Sequence, residues 1–396
     1  MGVETVWQTA PTIGRKAGHT MAKHWGARGT VAAMFVAMSL VSMATTAGAL
    51  DNGWIEMADA PAPSGTDVEF AGVTSPAPGT AIAVGHTFSA PGGFFQFQSW
   101  IERYDGSQWT VMPRATNERE PFRTFLYGVD ASSANDVWAV GADVPVGGLG
   151  KTVIEHYDGT SWTVVPSPAP GSSSSLAAVA VRSGTDAWAV GASSGPLAVH
   201  WDGTAWTQAP FPADPVPGCT SAEYLTGISD VPNNAAVFAV GYCDSGFGQG
   251  FIARLDARRR WRIMSAPLPA SSVLTSVYAR RANDVWAVGH ERISAAEQVN
   301  LVMHFDGVGW SRVTVPSTGF TGMNGVFASG ATDVWAVGVG DSPQPPFAGP
   351  TALHFDGTQW TEVPPGDFGV FFGVTGTAGK VYAVGSRLGD GIIFRH

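Results

Sequence analysis

Asp136-Val137-Trp138-Ala139-Val140-Gly141 is the stretch from which the architecture can be read, because its Ala-Val-Gly core recurs along the chain. The core ends at Gly85, Gly141, Gly191, Gly241, Gly289, Gly338 and Gly385, seven copies spaced 47 to 56 residues apart. The apolar run is continuous, as expected for a strand covered on both faces. Trp138, Trp188, Trp286 and Trp335 fill one slot of this run, with Ile82, Phe238 and Tyr382 in the remaining copies.

Outward from that run, each repeat divides into four strands. An inner strand comes before it, carrying a small residue at Gly72, Gly128, Ala178, Gly227, Ser276, Gly325 and Gly373. Seven strands converging on one axis leave no room there for a large side chain. A third strand follows and ends in Tyr104, Tyr157, Trp201, Leu255, Phe305 or Phe355. A tight Asp-Gly turn then leads to an outer strand bearing Trp109, Trp162, Trp206, Trp261, Trp310 or Trp360. The outer tryptophan occurs only six times in that series. The seventh copy is at the other end of the chain, in Asp51-Asn52-Gly53-Trp54, while the last repeat stops at Ile392-Ile393-Phe394-Arg395-His396. A closed ring explains why the last repeat is completed by the first residues, since the shared blade removes an open edge. The expected fold is all-β: a seven-bladed β-propeller of four-stranded antiparallel blades, closed by the N-terminal strand of the mature chain.

The repeat, with its Ala-Val-Gly core, a strand ending in Tyr-Asp, a short turn, Trp and Pro, resembles the kelch repeat, whose propellers include the galactose-oxidase-like proteins. The similarity spans residues 50–396. It departs from kelch in having one Gly where that family usually has two, and in a shorter turn before the Trp. The resemblance to galactose oxidases would imply a copper site with Tyr and His ligands and a Cys cross-linked to Tyr. Both cysteines here, Cys219 and Cys243, sit near blade 4 in loops expected on one face, which favours a disulfide. No cofactor is expected.

Composition agrees with this reading. The chain has 396 residues with 50 Gly, 27 Pro and 15 Trp, and only 14% are charged, which suits many short strands and turns and excludes a coiled coil. Residues 1–49 read as a secretory signal: Arg15, Lys16, Lys23 and Arg28, an apolar run from Val31 to Ala44, then Ala47-Gly48-Ala49, with Met21 as an alternative start. That run is shorter than the ~20 residues of a membrane span, so no span is expected after cleavage. Without residues 1–49, which hold four cations and one acid, 18 cations face 31 acids and the net charge is −13. Nucleic acid is therefore not an expected partner. The protein is expected to be monomeric and secreted or extracytoplasmic, on the cell surface or in the periplasm.

Catalytic patterns are sparse. His156, His200, His304 and His354 recur one residue before the third-strand aromatic, where Arg103, Arg254 and Arg395 stand in other blades. Positions separated by whole blades cannot converge on one ion, so these histidines read as packing and hydrogen-bonding residues and no metal is expected. Asp136, Asp186, Asp284 and Asp333 read as turn formers. The residues before the small slot, Ala71, Tyr127, Ala177, Thr226, Thr275, Asn324 and Phe372, include no carboxylate, base or arginine at the expected channel mouth.

Functional residues are sought where the repeats differ, because identical positions build the scaffold. Loops after Ala-Val-Gly and those entering the next inner strand share one face. They hold Phe94, Phe95, Arg119, Glu120, Phe122, Arg123, Tyr242, Asp244, Phe247, His290, Glu291 and Arg292, with Tyr127 beside them. Aromatic and charged groups together on loops suit recognition of a glycan or a surface protein. The expectation is a non-catalytic binding module. Two alternatives stay open: a hydrolase or lyase using Glu120, Asp244, Glu291 and Asp341, and a structural module of a surface assembly. On the opposite face, Ala257-Arg258-Arg259-Arg260 replaces the Asp-Gly turn, and with Arg280-Arg281 it would make a basic patch able to hold an anionic glycan or an acidic partner.

Overall fold

In this computed structural model the described residues are 53–90, 96–115, 122–145, 148–233, 236–246, 248–294, 297–317, 321–341, 348–363, 365–366, 368–377 and 379–396, with the side chains of Phe122, Asp341 and Ala348 excluded. Residues 1–49, read from the sequence as a secretory signal, lie outside them.

The described strands form seven separate four-stranded antiparallel sheets. Blade 1 consists of Thr66–Thr74, Ala81–Ser89, Gln96–Tyr104 and Trp109–Val111, in sequence order from inner to outer strand. Blades 2 to 6 repeat this order, with inner strands Phe122–Ser133, Ser175–Ser183, Glu223–Asp230, Ser272–Arg281 and Gly322–Gly330. Blade 7 takes its first three strands from Val370–Thr377, Lys380–Arg387 and Asp390–Arg395, and its outer strand from Ile55–Met57. Ile55 lies opposite Arg395 and Met57 opposite Ile393. The ring is thus closed by the first described strand, as the split repeat predicts.

The small-residue slot has the expected cause. A Cβ added to Gly128 would lie 2.9 Å from the Ala178 Cα of the next blade, and one on Gly227 3.0 Å from Ser276 Cα. One on Gly373 would lie 3.3 Å from Gly72 Cα, so blade 7 abuts blade 1 through the same contact. Just before each of these slots the pairing with the second strand shifts register, at Ala71, Tyr127, Ala177, Thr226, Thr275, Asn324 and Phe372. This bulge bends every inner strand at the same point.

The bulge changes the meaning of these residues. They are not mouth residues awaiting a ligand throughout. Thr226 Oγ1 donates to Leu274 O at 2.7 Å, Thr275 Oγ1 to Met323 O at 2.7 Å and Asn324 Nδ2 to Phe371 O at 2.7 Å. Each acceptor belongs to the next blade, so in blades 4 to 6 the bulge residue stitches one blade to its neighbour.

The tryptophans form the core between blades. Each outer-strand Trp packs on the second-strand slot of the preceding blade: Trp206 on Trp138 at 5.3 Å, Trp261 on Trp188 at 5.7 Å, Trp360 on Trp286 at 5.5 Å and Trp54 on Trp335 at 5.4 Å. All four pairs are edge-to-face, the arrangement that ring quadrupoles favour. Trp54 is fully buried and its indole donates to Val363 O at 3.0 Å, so the first residues complete the core as well as the sheet.

Candidate functional site

The two faces of the ring are built differently. On the face of the inner and outer hairpin turns, the Asp-Gly turns repeat atom for atom. Asp158 Oδ1 accepts from the Thr160 and Ser161 amides at 2.8 and 2.9 Å, and Asp356 Oδ1 accepts likewise from Thr358 and Gln359. Hydrogen bonds to Asp105, Asp202 and Asp356 hold these carboxyls down at about 2. The glycine that follows has positive φ, +94° at Gly159 and +96° at Gly357. In blade 4 the longer turn gives that conformation to Arg259, at φ 56°.

Beside these turns lies a repeated side-chain cluster that corrects the reading of the aspartates as turn formers alone. In blade 5, Asp284 Oδ1 accepts from the Trp286 indole at 3.0 Å and from His304 Nε2 at 2.9 Å, and the two rings stack at 4.1 Å. Blades 2 and 6 repeat it with Asp136, Trp138 and His156 and with Asp333, Trp335 and His354. In blade 3, His200 meets Asp186 at 2.8 Å and lies tilted against the Trp188 ring at 4.4 Å. Burial works to raise the Asp284 carboxyl, but hydrogen bonds from His304 and Arg280 hold it below the usual range. The histidines are therefore held blade by blade, as the sequence implies.

The expected basic patch is largely consumed by neighbours. Arg259 reaches back to blade 3 and donates to Asp186 Oδ2 at 3.2 Å, while Arg260 and Arg262 lie 3.4 and 3.5 Å from Asp256. Arg280 contacts Asp284 through two of its nitrogens.

The opposite, loop-bearing face carries no repeated pattern among the described residues. Around blades 1 and 2, His86, Phe88, Phe97, Phe125 and Tyr127 form a chain of ring contacts, from 4.9 Å for His86–Phe125 to 6.3 Å for the stacked Phe125–Tyr127. Arg123 lies over Phe97 at 5.6 Å. Burial pushes the His86 imidazole down to about 4, so it is neutral at physiological pH. At blade 4, Tyr242 stacks on Tyr224 at 5.4 Å. Burial and then the Asp244 charge hold both phenols above their usual range. At blade 5, burial and then Arg292 push His290 down to about 4, while Glu291 pairs with Arg312 at 2.7 Å. Among the described residues these are three local groups, and they form no convergent set. Phe94, Phe95, Arg119, Glu120 and Phe247 lie outside the described residues, as do the side chains of Phe122 and Asp341.

The disulfide is present. Cys219 and Cys243 are joined across a Cα separation of 6.1 Å, tying the connection into the blade 4 inner strand to the end of its second strand.

Sequence reasoning missed the ionisable groups of the inner strands themselves. Burial raises Glu69 to about 7, and both burial and Glu69 raise the Tyr127 phenol. Nearer the turn face, burial raises Asp130 to about 7, assisted by the charge of Asp230, and burial also raises Asp230. Burial and then these two carboxylates lift Tyr278 to about 12. Asp130, Asp230 and Tyr278 belong to blades 2, 4 and 5, so their fields meet across the ring axis. Asp130 is already engaged, accepting from the Val181 amide at 2.7 Å and from Thr74 Oγ1 at 3.4 Å, and so links blades 1, 2 and 3. The expectation considered only the residue before each small slot, whereas these carboxylates lie two or three positions away.

No family model matches the chain, and no curated protein matches it. Solved structures do. The chain is similar in fold to YCF48. A structure titled "YCF48 bound to D1 peptide" superposes with a TM-score of 0.54 at 14% identity, covering 89% of this chain and 99% of that one. YCF48 from Cyanidioschyzon merolae gives 0.56 at 13% identity, covering 86% and 98%. At this identity the likeness is one of fold, and it agrees with the propeller read from the repeats. Among the described residues no helix is long and apolar enough to cross a membrane, and no three His, Cys, Asp or Glu side chains are placed to hold a metal ion.

Proposed function

We propose that the chain is an exported, kelch-like propeller that acts as a binding module and recognises a protein partner through its loop face. The carrying observation is the contrast between repeated turns on one face and unrepeated aromatic and charged groups on the other. Unrepeated side chains such as Arg123 over Phe97 and Tyr224 stacked on the buried Tyr242 are what a recognition surface can be built from. The solved YCF48 complex shows a propeller of this fold bound to a peptide, which favours protein over glycan as the class of partner. Export after Ala49 is supported by the signal-like N-terminus and by the disulfide.

The test is site-specific photocrosslinking in the native envelope, with the photoreactive residue at Arg123, Tyr224 or Arg292 and controls at Thr160 and Thr204 on the turn face. Protein adducts from the loop positions alone are the expected result. Adducts from the controls alone would sink the assignment of the face. Selective glycan-array binding lost in Arg123→Ala and Tyr242→Ala variants, without protein adducts, would shift the partner to a sugar. Polysaccharide turnover abolished by Asp244→Asn or Glu291→Gln would replace the reading with an enzymatic one.

A further inference from the structure

Blades 3 and 5 both pair a histidine with an aspartate on the turn face, but the second oxygen of that aspartate is occupied differently. In blade 3, Arg182 places one guanidinium nitrogen on Asp186 Oδ2 at 2.6 Å. That oxygen retains room for a second donor, and Arg259 from blade 4 supplies it. In blade 5 the equivalent Arg280 places both Nε and a terminal nitrogen on Asp284 Oδ2, at 2.6 and 2.5 Å. With His304 and the Trp286 indole on Oδ1, that carboxylate is saturated.

That saturated carboxylate forms part of the wall of an open recess of about 290 Å3 between blades 5 and 6, lined by Arg280, Arg281, Asp284, Trp286, His304 and Phe355 among others. The residue in blade 3 that corresponds to Arg281 is Ser183, so the second cation is particular to this recess. Arg281 is exposed and has no ion pair with any described residue. The local balance is two guanidiniums against one carboxylate, the reverse of what would draw in another cation.

We propose that this recess is a second binding site, which receives an acidic side chain of an extended polypeptide partner, with Arg281 as the ion-pair donor and Phe355 as the apolar wall. A guanidinium offers a planar fork matched to a carboxylate, and such charge-assisted bonds are among the stronger ones available at a surface. The shape argues for a polypeptide over a small acid. The recess is shallow and opens onto the exposed Ala331, so a lone carboxylate would stay mostly solvated, whereas flanking residues of a peptide can cover Phe355. The overall charge of −10 opposes an acidic partner at long range. That field is screened beyond a Debye length of about 8 Å at physiological salt, leaving the arginines to dominate at contact. The site lies on the face opposite the variable loops, so it does not depend on the function proposed for them.

The experiment is a fluorescence-anisotropy titration of the full chain with a labelled tetraglutamate peptide, against tetraglutamine, tetralysine and free glutamate, at low and physiological salt. Tetraglutamate alone should bind. Arg281→Gln should weaken it about tenfold, the loss of one charge-assisted hydrogen bond, and Arg258→Gln in the neighbouring exposed turn should not. The Trp286 indole resonance should shift on titration in an NMR spectrum. Unaltered binding by Arg281→Gln, equal binding of tetraglutamine, or no binding would overturn the proposal. Preference for tetralysine would make the recess a cation acceptor like its blade 3 counterpart. Free glutamate binding as tightly as the peptide would make the ligand a small acid.

Discussion

The turn face and the loop face are formed by the same strands, yet one repeats an Asp-Gly turn in five of the seven blades and the other differs from blade to blade. On the turn face an Asp-Gly sequence yields the same hydrogen bonds at Asp158, Asp202, Asp306 and Asp356. On the loop face the position after Ala-Val-Gly is His86 in an aromatic chain, Tyr242 in a phenol stack and His290 beside Arg292. Repetition within one chain therefore reports what holds the ring together, and departures from it report where the ring is free to differ.

The sharpest way to break the comparison is at the inter-blade tryptophans. Trp335→Ala removes a buried side chain touching Trp54, His354 and His396, and should cost about 3–5 kcal/mol in denaturant melts. A loss below about 1 kcal/mol would mean that the repeated positions are not the scaffold. Next comes the disulfide, the one covalent constraint found on the variable face. A Cys219→Ser/Cys243→Ser variant should lose about 3 kcal/mol, from the closure of a loop of 24 residues. An unchanged melting temperature would show that this loop is already ordered by its packing.

A pH series sharpens the comparison from inside the ring. Asp130 is raised to about 7 when folded, so its contribution to stability is complete below about pH 4, where the unfolded group is protonated too, and is lost as pH rises through 7. Wild type minus Asp130→Asn stability should therefore fall between pH 4 and pH 7. A flat difference would show that the carboxylate is solvated. The smallest effects belong to single surface changes. Asp356→Ala on the turn face should cost about 1 kcal/mol through two lost amide bonds. Arg123→Ala on the loop face should stay within about 0.5 kcal/mol while affecting partner capture.

Most of the ring was legible because steric necessity leaves a residue-level mark: Gly where backbones approach, Trp where blades meet, and a split repeat where the circle closes. The bulge before each small slot left no such mark, since Ala71, Tyr127, Thr226 and Asn324 share no chemistry. Asp130 and Asp230 were obscured because they stand at different repeat positions and each is the lone acid at its own: the first is Ala180, Ser229 and Tyr278 in blades 3 to 5, and the second is Ala131, Val181 and Ala279 in blades 2, 3 and 5. The Trp–Asp–His cluster did have a signal. Blades with Trp in the second-strand slot have both Asp and His, whereas Ile82, Phe238 and Tyr382 occur with Arg103, Arg254 and Arg395. The covariation is physical: Arg254 lies 5.3 Å over the Phe238 ring, in the place where a histidine stacks on Trp elsewhere. On the loop face each group occurs once, so no internal copy exists against which to read it.

The pairing of Ile55–Met57 with Asp390–Arg395 also has a consequence in time. A chain synthesised from its N-terminus produces this outer strand first, but the strand it pairs with emerges last. Trp54 must wait for Val363, 309 residues later, and Glu56 for Arg387, 331 residues later. The last latch to close is thus made of the first described strand, and a chain cut short in the final repeat would leave the ring with an open seam.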